Sequence, residues 1–193
     1  MTLICGIDEA GRGPLCGPVF ASAVILDSND EYINKLTDSK KLSEKNRISI
    51  YEQIKLKAVD FSFAKASVAE IDRINILEAS LLAMKRAFDL LKKKPDYVFV
   101  DGIYCPEIKN ILIKSIPKGD SLIPAISAAS IIAKVERDRY MVDLDQKYPQ
   151  YNLKKHKGYP TKEHIKLIKQ YGVKKIHRLS FKPIKELINK KNT

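Results

Sequence analysis

Apolar residues recur along the chain with two periods, and the switches between them outline the fold. Residues 3–8 and 17–26 are dense in Ile, Val and Phe with a Gly/Pro cluster between them. That pattern predicts a strand, a tight connection and a second strand, paired as a hairpin. Ser43 stands where it can cap a helix that turns Ile48, Tyr51 and Ile54 inward, and "VDFSFAKA" at 59–66 alternates as a third strand. Ser67 and Glu70 have capping-box spacing ahead of Ile71, Ile74, Leu77, Leu81, Met84, Phe88 and Leu91, the clearest helical repeat in the sequence. Lys92, Lys93 and Lys94 suit the negative end of that helix, and Pro95 blocks its continuation.

The second half continues the alternation. "YVFVD" (97–101) and "ILIKSI" (111–116) read as strands. A long helix then starts near Pro124, a favoured first helical residue, and its opening turns "AISAAS" are small enough to lie close on a sheet. Tyr148-Pro149 ends it. Thr161 caps a further helix with Ile165, Ile168 and Tyr171 as its buried stripe and Gly172 as its stop, and a short helix follows Pro183. No internal repeat or low-complexity linker interrupts the chain. The expectation is an α/β fold in one domain, residues 1–193: a mixed five-stranded sheet flanked by helices, whose last helices fall in residues from about 150 to 193.

Composition changes the picture mainly through where charge sits. With 193 residues, 45% hydrophobic and 30% charged, the chain can bury a sizeable core. No apolar run approaches the roughly 18 residues that a membrane span needs. The start "MTLICGIDEA" lacks the basic segment of a secretory signal, so a cytoplasmic protein without membrane contact is expected. Cys5, Cys16 and Cys105 have no CxxC spacing and read as reduced thiols. The net charge is +12, and residues 147–193 hold 14 Lys and Arg against Glu163 and Glu186. The rest of the chain is neutral overall. A bias from composition alone would spread along the sequence, so this concentration points to a polyanion such as nucleic acid, with a solvated helical face as the ordinary alternative.

Several chemistries fall away on spacing. Gly11, Gly13 and Gly17 give GxGxxxG with Pro14 inside and a strand following, unlike a dinucleotide fingerprint. There is no Gly-Lys dipeptide for a phosphate loop. His156, His164 and His177 lie 8 and 13 residues apart without zinc-site partners, and Ser22 and Ser127 lack nucleophile-elbow glycines. Carboxylates at predicted strand ends remain. Asp8 and Glu9 close the first strand, Asp101 closes the fourth, and Asp120 follows the fifth. Singly, each has a plain structural reading as a turn, strand-end or cap residue. Jointly, strand ends on one edge of a sheet converge, and four ionised acids in one pocket need counter-charge. Two Mg²⁺ or Mn²⁺ ions, hard cations for oxygen ligands, supply it and serve displacement at phosphorus. Adjacent strand residues point to opposite faces, so Asp8 and Glu9 share a site only if the backbone turns at once, which Gly11 and Gly13 permit.

These residues carry a resemblance. Through "GIDEAGRGPLCGPV", "DSKKLSEKNR", "NILEASLLAM", "VFVDG", "KGDSLIPAISAASIIAKVERDR", "HKGYPT" and "RLSF", nearly the whole chain resembles bacterial ribonuclease HII. The resemblance implies a ribonuclease H-like fold with a C-terminal extension that binds substrate. It implies an acidic, metal-binding catalytic tetrad at Asp8, Glu9, Asp101 and Asp120. It also implies that Gly11, Arg12 and Gly13, together with Tyr159, read the ribonucleotide at a DNA junction. The implied activity is endonucleolytic, by two-metal catalysis: hydrolysis of the RNA strand in RNA/DNA hybrids, and cleavage 5′ of ribonucleotides in duplex DNA. Lys40, Lys41, Lys155, His156, Lys157 and Arg178 are candidate phosphate contacts. A monomer is expected, and contact with a replication clamp is left open. A binding-only protein, or a nuclease of the same fold that cuts all-DNA substrates, stays open as an alternative.

Overall fold

The computed structural model describes residues 2–28 and 43–189. β1 (Leu3–Ala10) and β2 (Val19–Asp27) form the expected hairpin, in register from Leu3 opposite Asp27 to Ala10 opposite Phe20. β3 (Asp60–Ala66) joins the far edge of β2 antiparallel, while β4 (Tyr97–Asp101) and β5 (Leu112–Ile116) add in parallel on the other side of β1. The order is β3-β2-β1-β4-β5, the mixed five-stranded sheet that the residue pattern predicts. β1 and β4 are parallel neighbours, so their C-terminal ends emerge on the same edge.

Among the described residues there are six α-helices, of which the first three pack on this sheet: α1 (Glu44–Lys57), α2 (Val68–Asp89), α3 (Pro124–Lys147), α4 (Leu153–His156), α5 (Lys162–Tyr171) and α6 (Lys182–Asn189). The caps form as expected. Ser43 accepts from the Asn46 amide, Ser67 and Glu70 make a reciprocal capping box, Pro124 opens α3, and Thr161 accepts from the His164 amide. One face of the sheet packs Cys5, Ile7, Val98 and Val100 against Ala79, Ala83 and Ala87 of α2. The other packs Val24 and Leu26 against Ala125, Ala128, Ala129 and Ile132 of α3, with Tyr51 and Ile54 of α1. A third core joins Leu15 and Cys16, which follow β1, to Met141 and Leu144 of α3 and to Tyr151, Leu153, Ile168 and Ile184. The basic C-terminal segment is therefore packed onto α3 and the β1–β2 connection.

Three details differ from the pattern-based expectation. α2 is broken at Asn75, whose φ of 69° is non-helical. Its Oδ1 accepts from the Leu77 and Glu78 amides and so caps the second segment, a local side-chain bond that competes with helix continuation. Ile48 and Tyr171, placed on buried stripes by their spacing, are exposed among the described residues, so the buried faces of α1 and α5 are narrower than their apolar repeats. Among the described residues, no helix is long and apolar enough to cross a membrane.

Candidate active site

The site is built where β1, β4 and the start of α3 meet. Gly6 lets α3 lie directly on β1, because a Cβ there would stand 2.0 Å from the Ala125 carbonyl carbon. Side chains alternate along a strand, so Asp8, two residues on, also faces α3, where Ser130 hydrogen-bonds its carboxyl. Val98 and Val100 belong to the α2-side core, which leaves Asp101 on the α3 side beside Asp8. Asp101 Oδ1 accepts from the Gly119 amide at 2.6 Å, tying the 3₁₀ turn Gly119–Ser121 to the end of β4. Asp120, buried, lies in that turn. The Ile123 amide bonds the Gly119 carbonyl at 2.7 Å, so the turn leads straight into α3.

Glu9 reaches the same place by another route than the expected immediate turn. β1 runs on to Ala10 and Glu9 leaves from the opposite face. Pairing of β1 with β4 stops at Ile7 opposite Val100, however, so Glu9 lies past the joint edge and its carboxylate interacts with both Asp8 and Asp101. Arg12 Nη1 stands 3.2 Å from Glu9 Oε1. Burial, and then the charges of Glu9 and Asp101, push the Asp8 carboxyl well above its usual range. Burial raises Glu9 as well, against the pull of Arg12. Among the described residues, no group of three or more His, Cys, Asp or Glu side chains is arranged so that it could hold a metal ion as it stands. The donor set still fits a hard divalent cation, since buried, mutually repelling carboxylates with a single ion-paired arginine favour added positive charge.

Beside the acids runs the connection that starts at Gly11, whose φ of 99° favours glycine. Three backbone bonds knit it to the C-terminal segment: Leu15 N to Gly158 O at 2.8 Å, Arg178 N to Leu15 O at 2.9 Å, and Gly17 N to Ile176 O at 2.9 Å. Tyr159, partly exposed, faces this connection, and a Cβ on Gly13 would lie 3.6 Å from its ring. An open cleft is lined by Glu9, Gly11, Arg47, Ser130, Lys134 and Tyr159.

The expected phosphate contacts separate into groups. Lys40 and Lys41 lie outside the described residues. Lys155 is exposed and paired with Glu163 at 2.8 Å, and the Lys157 ammonium donates to the Lys154 carbonyl. Arg178 and His156 are corrections. Arg178 is fully buried and donates to the carbonyls of Gly11 at 2.7 Å, Arg12 at 2.9 Å and Gly17 at 2.9 Å. His156 is buried, bonded through Nε2 to the Tyr151 carbonyl and accepting at Nδ1 from the Gly158 amide. Their chemistry is spent inside the protein, where unmet backbone groups are costly. Sequence reading overlooked Ser130, Lys134 and Arg137 of α3. Their i, i+4, i+7 spacing places them on one flank of the helix that "AISAAS" sets against the sheet, which was the available signal.

The ribonuclease HII family model matches residues 5–184 of this chain. The chain belongs to the ribonuclease HII family. It is 51% identical to the ribonuclease HII of Psychromonas ingrahamii over 97% of this chain and 91% of that protein. Among solved structures, the ribonuclease H2 of Pyrococcus horikoshii superposes with a TM-score of 0.84 at 27% identity, covering 100% of both chains. The ribonuclease HII of Archaeoglobus fulgidus, solved in complex with PCNA, gives 0.76 at 26% identity over 93% of this chain and 95% of that one. As a ribonuclease HII family member, the chain is a metal-dependent ribonuclease H endonuclease that cleaves the RNA of RNA/DNA hybrids and ribonucleotides in DNA.

Proposed function

We propose that Asp8, Glu9, Asp101 and Asp120 hold two Mg²⁺ or Mn²⁺ ions and that cleavage falls on the 5′ side of the ribonucleotide, leaving 5′-phosphate and 3′-hydroxyl ends. The observation that carries this reading is the electrostatic coupling of Asp8, Glu9 and Asp101 at one sheet edge beside the Gly11 connection. The chemistry supplied by the bound ions is activation of the attacking water and stabilisation of the leaving 3′ oxygen. Ser130 and the Glu9 amide, the latter 2.6 Å from Asp8 Oδ1, orient the Asp8 carboxylate. The Gly119 amide orients Asp101 in the same way. Arg12, held near Glu9, carries positive charge at the cleft rim where a phosphate approaches.

Selectivity requires detection of a 2′-hydroxyl, which both donates and accepts a hydrogen bond. Gly11, Arg12 and Gly13 read it through backbone groups of a turn whose Gly11 and Arg12 carbonyls are fixed from behind by Arg178, with Tyr159 against the sugar. Lys155 and Lys157, with the C-terminal extension from about residue 150, hold the flanking duplex by its phosphates. The deciding experiment incubates end-labelled duplex DNA containing one ribonucleotide, with and without Mg²⁺ or Mn²⁺, beside an all-DNA control. Metal-dependent cutting at the ribonucleotide alone is expected. Binding without cutting, or equal cutting of the all-DNA duplex, would refute the reading. Asp8→Asn should abolish cleavage with the fold intact, and wild-type turnover by that variant would remove Asp8 from the mechanism. Tyr159→Phe should slow cleavage at a single ribonucleotide, and an unchanged rate would leave only the ring as a contributor.

A further inference from the structure

Two guanidinium groups lie inside the wall of the cleft, and among the described residues neither forms an ion pair with a carboxylate. Arg178 spends all its bonds on the carbonyls of Gly11, Arg12 and Gly17. Arg137 differs. It is 1% exposed, and only Nη2 has a partner, the Lys157 carbonyl at 2.9 Å, while Nε and Nη1 are buried without one. Its guanidinium lies 5.8 Å from the centre of the Tyr159 ring, and its side chain backs onto Gly11 so closely that a Cβ there would meet Nε at 2.1 Å.

The groups around Arg137 offset its burial only in part. Asp138, its chain neighbour, attracts it through space but is ion-paired with Lys134 at 2.8 Å. Burial pushes the Cys16 thiol up to about 12, so it stays neutral. Arg178 brings a second buried positive charge nearby: burial, and then the charge of Arg137, hold it down to about 9. Asp72, which attracts Arg178, accepts from the Leu179 and Ser180 amides at 2.9 Å. A buried ion without a counter-ion is costly, so its presence here calls for a partner that arrives later. Gly11 lines the open cleft, and the Arg137 side chain packs directly against its Cα, where any other residue would carry a Cβ.

We propose that Arg137 is a positioning residue whose buried charge is completed by a phosphate of the nucleic acid bound in the cleft formed by Gly11 and Tyr159. It acts through the Gly11 backbone and the Tyr159 ring and does not touch the reacting atoms. The inference rests on the reading that this cleft faces the ribonucleotide.

The test compares the wild type with Arg137→Gln, which keeps a donor for the Lys157 carbonyl, and Arg137→Lys, which keeps the charge. The probe is a fluorescein-labelled duplex with one ribonucleotide, bound in EDTA and followed by anisotropy over a range of salt. Arg137→Gln should melt no lower than the wild type when free, bind about tenfold more weakly, and lose about one from the slope of log affinity against log salt. In Mg²⁺ its KM should rise more than its kcat falls. Arg137→Lys should regain most of the affinity. Binding by Arg137→Gln within about twofold of wild type with an unchanged slope would overturn the inference. So would a lowered melting temperature combined with no rescue by lysine. Should Arg137→Gln not fold, Arg137→Lys decides alone: near-wild-type binding supports a charge effect, and a loss of about tenfold in a folded protein refutes it. If the wild type itself does not prefer the ribonucleotide over an all-DNA duplex, the reading of the cleft fails instead.

Discussion

Gly6→Ala places a methyl group where the backbone of α3 already lies. Gly6 sits on the central strand between Val24 of β2 and Phe99 of β4. The added Cβ would stand 2.0 Å from the Ala125 carbonyl carbon, 2.2 Å from its oxygen and 2.2 Å from the Ile126 nitrogen. All three are backbone atoms, so no rotamer change relieves the clash, and helix and strand must part by more than an ångström. Overpacking that side chains can absorb costs about 1–3 kcal/mol, and a backbone clash belongs at about 3 kcal/mol or above. For a domain of this size, that lowers the melting temperature by about 6–12 °C. Displacement of α3 also moves Ser130 away from Asp8 and pulls on the turn that carries Asp120. Thermal melting followed by far-ultraviolet circular dichroism measures the first effect, and cleavage of a one-ribonucleotide duplex the second. A melting temperature within about 2 °C of wild type, together with full activity, would refute the claim that a direct helix-on-strand contact builds the site.

Gly13→Ala is the counterpart that should leave the fold alone. Its Cβ would make an ordinary 3.6 Å contact with the Tyr159 ring but fill the gap between ring and turn. Unchanged melting with kcat/KM lowered about tenfold to a hundredfold is expected, and unchanged turnover would remove that gap from recognition. His164 and His177 stand together in the C-terminal core, with ring centres 5.8 Å apart. Burial holds both down to about 4, from an ordinary value of 6.5. The unfolded chain therefore takes up protons first, and the stability these residues give is complete above about pH 6.5 and lost as pH falls toward about 4. Urea midpoints measured across that window should fall with pH, and a flat profile would contradict the buried, neutral placement.

The strands, the caps and the order of elements were legible in the sequence because each depends on neighbouring residues: alternation in "VDFSFAKA", the Ser67 and Glu70 pair, Pro124 at the head of a helix. The position of Asp101 was legible for the same reason, since a carboxylate after "YVFV" must emerge at a strand end, whereas Asp120 stands in a 3₁₀ turn beyond β5. Proximity was not. Glu9 joins Asp8 and Asp101 because β1 outruns its pairing with β4, a matter of register between strands some 90 residues apart. Arg178 and His156 looked like surface cations and are framework residues: Arg178 is held by carbonyls more than 160 residues away, and His156, bonded to its near neighbours Tyr151 and Gly158, is stacked against the His164 ring. Arg137 gave no sign of its burial, for its neighbours Gly11, Tyr159 and Lys157 come from both ends of the sequence. The sequence by itself determined local geometry and the kinds of chemistry available, through short-range sterics and hydrogen bonding. Only tertiary structure decided which charges are buried and which face each other, because burial and electrostatic coupling depend on distances that chain order does not set.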